Sequence, residues 1–161
     1  MHNEGFYLSD AIDVIEEVLN GGGEFRMCPK GVSMLPLIRQ GVDSVGLTKR
    51  TDPEALPVRK HEIAFYRRAS GQFVLHRVMQ IEKDGTYTMC GDNQLYLEKG
   101  IRQDQIIGYV SRLYKKDRLI SFRSMPYRLY VGLWCWMPFR WLAKLPGRAC
   151  NWLKRNVFQK K

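Results

Sequence analysis

The feature that most constrains the fold of this chain is a series of short β-rich runs that starts at Glu24. Turn residues separate the runs, and the pairs Ser70-Gly71 and Asp84-Gly85 are typical of hairpin turns. Strands spaced in this way predict a compact, mostly antiparallel β domain. The predicted strands are Phe25–Cys28, Ser44–Thr48, Glu62–Tyr66, Phe73–Glu82, Tyr87–Cys90, Ile106–Tyr114 and Leu119–Phe122.

Two segments of different character flank this β region. Apolar residues at helical spacing, among them Ile15 and Val18, predict an amphipathic helix that begins near Ala11. The three glycines at 21–23 end this helix and form a hinge. The tail is aromatic and basic, and its three prolines divide it into short helical pieces. The predicted organisation is a helix with a glycine hinge over 1–23, a mainly β domain over 24–122 and a basic aromatic tail over 123–161.

The net charge of +10 comes from residues 111–161, that is, the tail and the residues just before it. Residues 1–110 hold 13 basic and 15 acidic side chains, whereas residues 111–161 hold 13 basic side chains and one acid. The tail also contains all four tryptophans. If residues 140–155 are helical, basic and aromatic side chains fall on opposite faces, which is typical of a helix in a membrane interface.

We therefore expect residues 127–158 to bind a membrane surface, as a peripheral or monotopic element. The alternative is a pair of helices that covers the open side of the β domain. Nucleic acid is not an expected partner, because too much apolar surface interrupts the basic residues. No apolar run reaches the length of a transmembrane helix.

The four cysteines suggest no special chemistry. They show neither CxxC spacing nor a neighbouring histidine in a ligand pattern, so a zinc site is not expected. Buried thiols are the simplest interpretation of these residues. We expect the protein to need no metal and no cofactor.

Three short motifs carry residues with the chemistry of a hydrolase. They place Ser33 in a turn between a glycine and a proline, His76 in an apolar strand, and Asp92 directly after a strand. A serine in such a turn can meet backbone N–H groups aimed at an oxyanion, and a neutral imidazole can take its proton. The carboxylate can orient the imidazole or support its own turn. Each residue also has an ordinary structural explanation, so the residues alone leave both interpretations open.

The order of these motifs resembles the S24/S26 peptidase superfamily, specifically the histidine type of its signal-peptidase branch. The resemblance extends from about Lys30 to Val110, roughly half of the chain. The blocks that carry it are Gly31–Leu37, Gly41–Val45, Glu62–Tyr66, Leu75–Val78, and Gly91–Asn93 with Ile106–Val110. Five blocks in the same order are far more specific than any one of them.

The resemblance implies a compact antiparallel β peptidase domain of the signal-peptidase and LexA type. It implies that Ser33 attacks the scissile carbonyl and that His76 accepts the serine proton. Asp92 is implied as the third member. Glu98 is the alternative, because the family's second aspartate is absent from this stretch.

The resemblance also implies how substrate binds. Met34 and Pro36, beside the serine, are implied to contact the substrate, and the Ser33 N–H to form part of the oxyanion hole. The expected substrate is an extended peptide or precursor protein with small residues before the cut, bound as an added β-strand.

The sequence therefore favours a membrane-associated serine endopeptidase that resembles signal or leader peptidases. The alternative is a non-catalytic, membrane-associated module that holds peptides on the same scaffold. A self-cleaving LexA-like regulator is less favoured, because it requires a lysine where His76 stands.

Overall fold

A single antiparallel sheet of eight strands forms the centre of the protein in the computed structural model, which describes residues 8–52, 54–136 and 140. The strands are β1 (Phe25–Met27), β2 (Asp43–Thr48), β3 (Ile63–Arg67), β4 (Phe73–Ile81), β5 (Tyr87–Cys90), β6 (Glu98–Ile101), β7 (Ile106–Lys115) and β8 (Arg118–Ile120). Their order is β1-β2-β7-β3-β4-β5-β6, and β8 pairs with β7. Two α-helices flank the sheet, α1 (Leu8–Asn20) and α2 (Met125–Cys135), and a short 3-10 helix (Gln103–Gln105) precedes β7. The predicted mainly β class is confirmed.

Hairpin turns join β3 to β4 and β4 to β5, as the sequence predicts. Gly71 and Gly85 have φ angles of 87° and 81°, a left-handed backbone that glycine adopts without steric cost. The described strands agree with the predicted ones to within about two residues. The exception is β6, which was not predicted, because Glu-Lys-Gly-Ile lacks alternation and pairs only along one edge of the sheet.

Both faces of the sheet are covered by apolar side chains, in two separate clusters. In β3, Ile63 and Phe65 belong to one cluster, whereas Ala64 and Tyr66 belong to the other, as strand alternation requires. Helix α1 packs on the first cluster. Its residues Ile15 and Leu19 are fully buried, and each burial stabilises the fold by about 1.5–3 kcal/mol.

Helix α2 packs on the first cluster through Tyr127 and Tyr130. Its other side presents large apolar side chains to solvent. Within the described ranges, no helix combines the length and apolar character needed to cross a membrane. The helix predicted over residues 140–155 lies outside the described residues, except for Arg140.

Arg140 corrects part of that prediction. The sequence placed it on the basic face of an interfacial helix, directed toward lipid headgroups. Its side chain is instead fully buried, and it donates hydrogen bonds to the carbonyl oxygens of Gly91, Gln94 and Trp134. A buried guanidinium needs such acceptors, because leaving it unpaired away from water is costly.

Candidate active site

Ser33 and His76, which are 43 positions apart in the sequence, line the same cavity of about 420 Å³. Ser33 lies in an irregular turn that follows Gly31, whose φ of 93° is accessible to glycine. His76 lies near the middle of β4, opposite Ala64 of β3. No hydrogen bond joins the two side chains in the structure, and such contacts commonly tighten only when substrate binds.

Both apolar and polar side chains line the cavity. Met34, Ile38, Phe73 and Leu75 are among its apolar lining residues. Besides Ser33 and His76, the polar lining residues are Lys30, Arg68, Gln72, Asn93 and Gln94.

The two residues implied to contact substrate are placed differently. Met34 lines the cavity, although most of its side chain belongs to the apolar core. Pro36 is exposed, follows a cis peptide bond and is not among the lining residues of this cavity.

The imidazole of His76 is held by a chain of two hydrogen bonds. Its Nδ1 lies 3.2 Å from the Tyr66 hydroxyl, which in turn donates to Glu98 Oε2 over 2.8 Å. A tyrosine has one hydroxyl proton and a carboxylate has none to donate, so Tyr66 must accept from the Nδ1–H of His76. The other ring nitrogen, Nε2, then carries the lone pair that can accept a proton. This tautomer of the imidazole is the one that a general base requires.

Burial sets the charge state of His76. Only 2% of the residue is exposed, and desolvation lowers the pKa of the imidazole to about 4, opposed by Glu98 and assisted by Arg68. The imidazole is therefore neutral at physiological pH and able to take a proton.

Glu98 remains a charged acceptor although it is partly buried. Burial alone raises its pKa, but the hydrogen bonds from Arg68 and Tyr66 outweigh that effect and lower the pKa below its ordinary value. Arg68 binds both carboxylate oxygens, with distances of 2.7 Å to Oε1 and 2.6 Å to Oε2. This bidentate contact fixes the carboxylate against Tyr66.

Asp92 is placed away from the imidazole, and its partner is Arg77. The guanidinium donates to both carboxylate oxygens over 2.8 Å and 2.7 Å, and both side chains are fully buried. Burial alone lowers the pKa of Arg77, and its bonds to Asp92 raise that pKa above the ordinary value. Neighbouring residues of a strand point to opposite faces, so an acid bound to Arg77 is not directed at His76.

The structure thus separates the two acids that the sequence offered as a third member. No hydrogen bond or ion pair joins Asp92 to His76, whereas Glu98 Oε2 lies 3.8 Å from His76 Nδ1. The geometry favours Glu98, acting through Tyr66, as the group that orients the imidazole. Tyr66 and Arg68 were missed as site residues, because only the register between β3 and β4 and the position of β6 bring them to His76.

The turn at Gly91–Asn93 contacts the serine residue instead. The Asn93 N–H donates to the Ser33 carbonyl oxygen over 2.6 Å. A Cβ on Gly91 would lie 2.7 Å from that same oxygen, so only glycine leaves room for the contact. The first and third motifs are therefore joined through backbone atoms.

The potential metal ligands and the cysteines of the described residues form no second candidate site. Among the residues that the structure describes, no group of three or more His, Cys, Asp or Glu side chains is arranged around a common ion position. Cys28 is exposed, which corrects the expectation of a buried thiol, whereas Cys90 is buried. Cys150 lies outside the described residues.

Comparison with known proteins gives no relative from which function can be transferred. No model of a protein family, no curated protein and no solved structure matches this chain. A functional assignment therefore depends on the motifs and on the geometry of the cavity that they line.

Proposed function

We propose that this protein is a serine endopeptidase of the signal-peptidase type, which cleaves a peptide or precursor protein by a Ser-His dyad. The observation that carries the proposal is the meeting of Ser33 and His76 in one cavity, with Nδ1 of the imidazole already bonded. Two residues selected from separate motifs have no structural need to share a cavity. That coincidence supports the catalytic interpretation over the ordinary one for each residue.

In the proposed reaction, Ser33 Oγ attacks the scissile carbonyl while His76 Nε2 takes its proton. The backbone N–H of Ser33 stabilises the developing oxyanion. The protonated imidazole is stabilised by Tyr66 and the Glu98 carboxylate behind it. His76 then gives its proton to the leaving amine, and a water molecule activated by the same nitrogen releases the acyl group.

The shape of the surface beside Ser33 supports an extended peptide as substrate. A second cavity of about 420 Å³ adjoins the first, and both are lined by Phe73 and Leu75 of β4. Most residues that line this second cavity are apolar, and Ile15 of α1 is among them. Two adjoining cavities suit alternate side chains of a strand-like peptide.

A membrane surface is the second partner that we propose. Met125, Leu129 and Leu133 of α2 are spaced four residues apart and are 62%, 59% and 48% exposed. Such spacing forms one apolar stripe along the helix. An exposed stripe beside a strongly basic segment suits a surface with an apolar interior and anionic headgroups.

The experiment that tests the catalytic proposal is cleavage of a leader-peptide library, read by mass spectrometry. We expect wild type to cleave after small residues, and Ser33→Ala to lower turnover by on the order of 10⁴–10⁶-fold. His76→Ala is expected to have a similar effect, because the two residues act as one unit. Ser70→Ala, in an exposed hairpin turn, is the matched control and should cleave at the wild-type rate.

Two results would contradict the proposal. One is cleavage by Ser33→Ala at the wild-type rate. The other is the absence of both cleavage and fluorophosphonate labelling of wild type, with peptides still bound, which would favour the non-catalytic peptide-binding module.

A further inference from the structure

Helix α2 binds the turn at 91–94, whose backbone contacts the candidate nucleophile Ser33. Tyr130 of α2 donates its hydroxyl to Asp92 Oδ2 over 2.9 Å, and Trp134 donates its indole N–H to the Asp92 carbonyl oxygen over 2.7 Å. The two rings stack on each other, with their centroids 5.3 Å apart. Asp92 is fully buried between these groups and Arg77.

A single peptide group connects this helix to Ser33. The Asp92 carbonyl oxygen accepts from Trp134, and the N–H of the same peptide group, which belongs to Asn93, donates to the Ser33 carbonyl oxygen over 2.6 Å. A peptide group is planar and rigid, so fixing its oxygen also fixes the direction of its N–H. Polarisation along the chain of hydrogen bonds strengthens both contacts.

Arg140 adds a second connection from the C-terminal segment to the same turn. Its Nη1 donates to the carbonyl oxygens of Gly91 and Gln94 over 3.1 Å and 3.2 Å. Its Nε donates to the Trp134 carbonyl oxygen over 2.9 Å, which ties the guanidinium back to α2. The turn at 91–94 is thus bound by three side chains that all follow the β domain in sequence.

The chemical nature of these contacts distinguishes them from simple coverage. Apolar side chains could cover the turn at 91–94 without any directional contact, because the hydrophobic effect is non-directional. Here Tyr130, Trp134 and Arg140 each donate a hydrogen bond to the turn at 91–94, whose backbone contacts Ser33. Directional contacts of this kind fix position, which dispersion and apolar burial do much less.

We propose that α2 is a positioning element for the nucleophile, with Trp134 and Tyr130 as its positioning residues. Trp134 acts through the Asp92-Asn93 peptide group and Tyr130 through the Asp92 carboxylate, and neither acts on substrate. The catalytic consequence rests on the proposed serine peptidase function, whereas the mechanical connection between α2 and the Ser33 turn does not.

The experiment compares Trp134→Phe with Trp136→Phe. The first substitution removes the indole N–H that binds Asp92, and the second changes a tryptophan that is 60% exposed. Hydrogen exchange is measured for the Asn93 amide and for the Leu35 amide, which bonds to Val32 within the serine turn. The melting temperature is recorded for both variants, as are kcat and KM on a cleaved peptide.

We expect Trp134→Phe to speed exchange of both amides by about fivefold, which corresponds to the loss of one hydrogen bond. The value of kcat should fall on the order of tenfold with little change in KM, because binding is retained while the nucleophile is displaced. Trp136→Phe should match wild type in all of these measurements. A lower kcat and faster hydrogen exchange in the two turns, with an unchanged melting temperature, would distinguish positioning of the nucleophile from general destabilisation.

Unchanged exchange at Asn93 and Leu35 in Trp134→Phe would overturn the proposal, whatever the activity. If wild type cleaves no peptide, the proposed function fails, and faster exchange in Trp134→Phe still supports the connection from α2 to Ser33. If Trp134→Phe unfolds, Tyr130→Phe replaces it, because that substitution removes only the hydroxyl bound to Asp92. Unchanged exchange in Tyr130→Phe then overturns the proposal.

Discussion

At the scale of single residues, burial determines how His76 behaves. The imidazole is almost entirely inside the protein, and its Nδ1 is bonded to a tyrosine that cannot donate back. A protonated ring in that position loses solvation, which the nearby Glu98 carboxylate restores only in part. The imidazole is therefore neutral over the physiological pH range.

This environment predicts an unusual pH profile for peptide cleavage. Because burial lowers the pKa of His76 to about 4, kcat/KM should stay level as pH falls through 6.5 and drop only as pH approaches 4. An unperturbed imidazole would give a midpoint near 6.5. A measured acid limb near 6.5, with the fold intact by circular dichroism, would contradict the burial argument.

The same shift has a consequence for stability. The unfolded chain binds a proton on His76 near pH 6.5, whereas the folded chain binds it only near pH 4. The contribution of His76 to stability is thus fully present above pH 6.5 and decreases as pH falls through this window. Urea unfolding with His76→Gln as the control, at several pH values, should show a weaker pH dependence in the variant.

Tyr66→Phe tests the hydrogen-bond chain behind the imidazole. The substitution removes the acceptor for Nδ1–H, so the ring loses its preferred tautomer and orientation. We expect kcat to fall by on the order of 10–100-fold, less than the roughly 10²–10⁴-fold that an acid–base group itself contributes. Tyr96→Phe, at a tyrosine that is 77% exposed, is the matched control and should leave kcat unchanged.

Asp92→Asn separates a structural role from a catalytic one. The substitution leaves Arg77 buried without its charge partner, and we expect a loss of about 3–5 kcal/mol in the free energy of unfolding. Glu98→Gln should cost less stability, because the Glu98 side chain is 18% exposed to water. If Asp92→Asn instead abolished cleavage with unchanged stability, Asp92 would be the group that orients His76.

At the scale of structural elements, two tight turns and one helix determine where the serine stands. The turn at 31–37 is fixed by its contact with the turn at 91–93, and α2 covers the second turn from behind. None of these elements belongs to the sheet that holds His76. The distance between nucleophile and base therefore depends on how loops pack on a rigid strand.

Gly91→Ala tests the contact between the two turns. A Cβ at this position would lie 2.7 Å from the Ser33 carbonyl oxygen, so one of the turns must move. We expect a loss of about 1–3 kcal/mol in unfolding free energy, together with lower kcat. Gly132→Ala is the control, because no atom lies within 4 Å of its Cβ position and alanine favours the helix by about 1 kcal/mol. Equal thermal stability of the two variants would contradict the steric argument.

At the scale of the whole molecule, charge and exposed apolar surface lie at the C-terminal end. Residues 1–110 carry a net charge of −2 and residues 111–161 a net charge of +12, and α2 presents its apolar stripe away from the sheet. A molecule built in this way would approach an anionic surface by its tail.

Vesicle sedimentation tests this orientation. We expect binding to anionic vesicles that weakens with added salt, since each basic residue near the surface contributes about 1 kcal/mol. Leu129→Ser should weaken binding by on the order of tenfold, because one exposed leucine no longer enters the interface. Leu119→Ser, at a leucine of similar exposure in β8, should bind as wild type does. Equal losses in both variants would exclude a specific role for the α2 stripe.

Much of the fold follows from local sequence. Alternating apolar residues, hairpin glycines and a helical stripe predicted α1 and seven of the eight strands, because these patterns act over a few neighbouring residues. The edge strand β6 was not predicted, because its four residues carry neither alternation nor β-branched enrichment. Its pairing with β5 is a non-local contact that no short window contains.

The candidate site, like the fold, could be predicted from the sequence only in part. The sequence by itself was enough to select Ser33 and His76 as candidates, because each lies in a motif whose residue types suit the proposed chemistry. It gave Asp92 as the third member and Glu98 as the alternative. The structure shows that strand alternation at β4 directs Arg77 and its acid away from the imidazole. Only the tertiary structure places Tyr66 and Glu98 behind His76, and only it brings the peptide group after Asp92 to Ser33, because these contacts depend on strand register and loop packing.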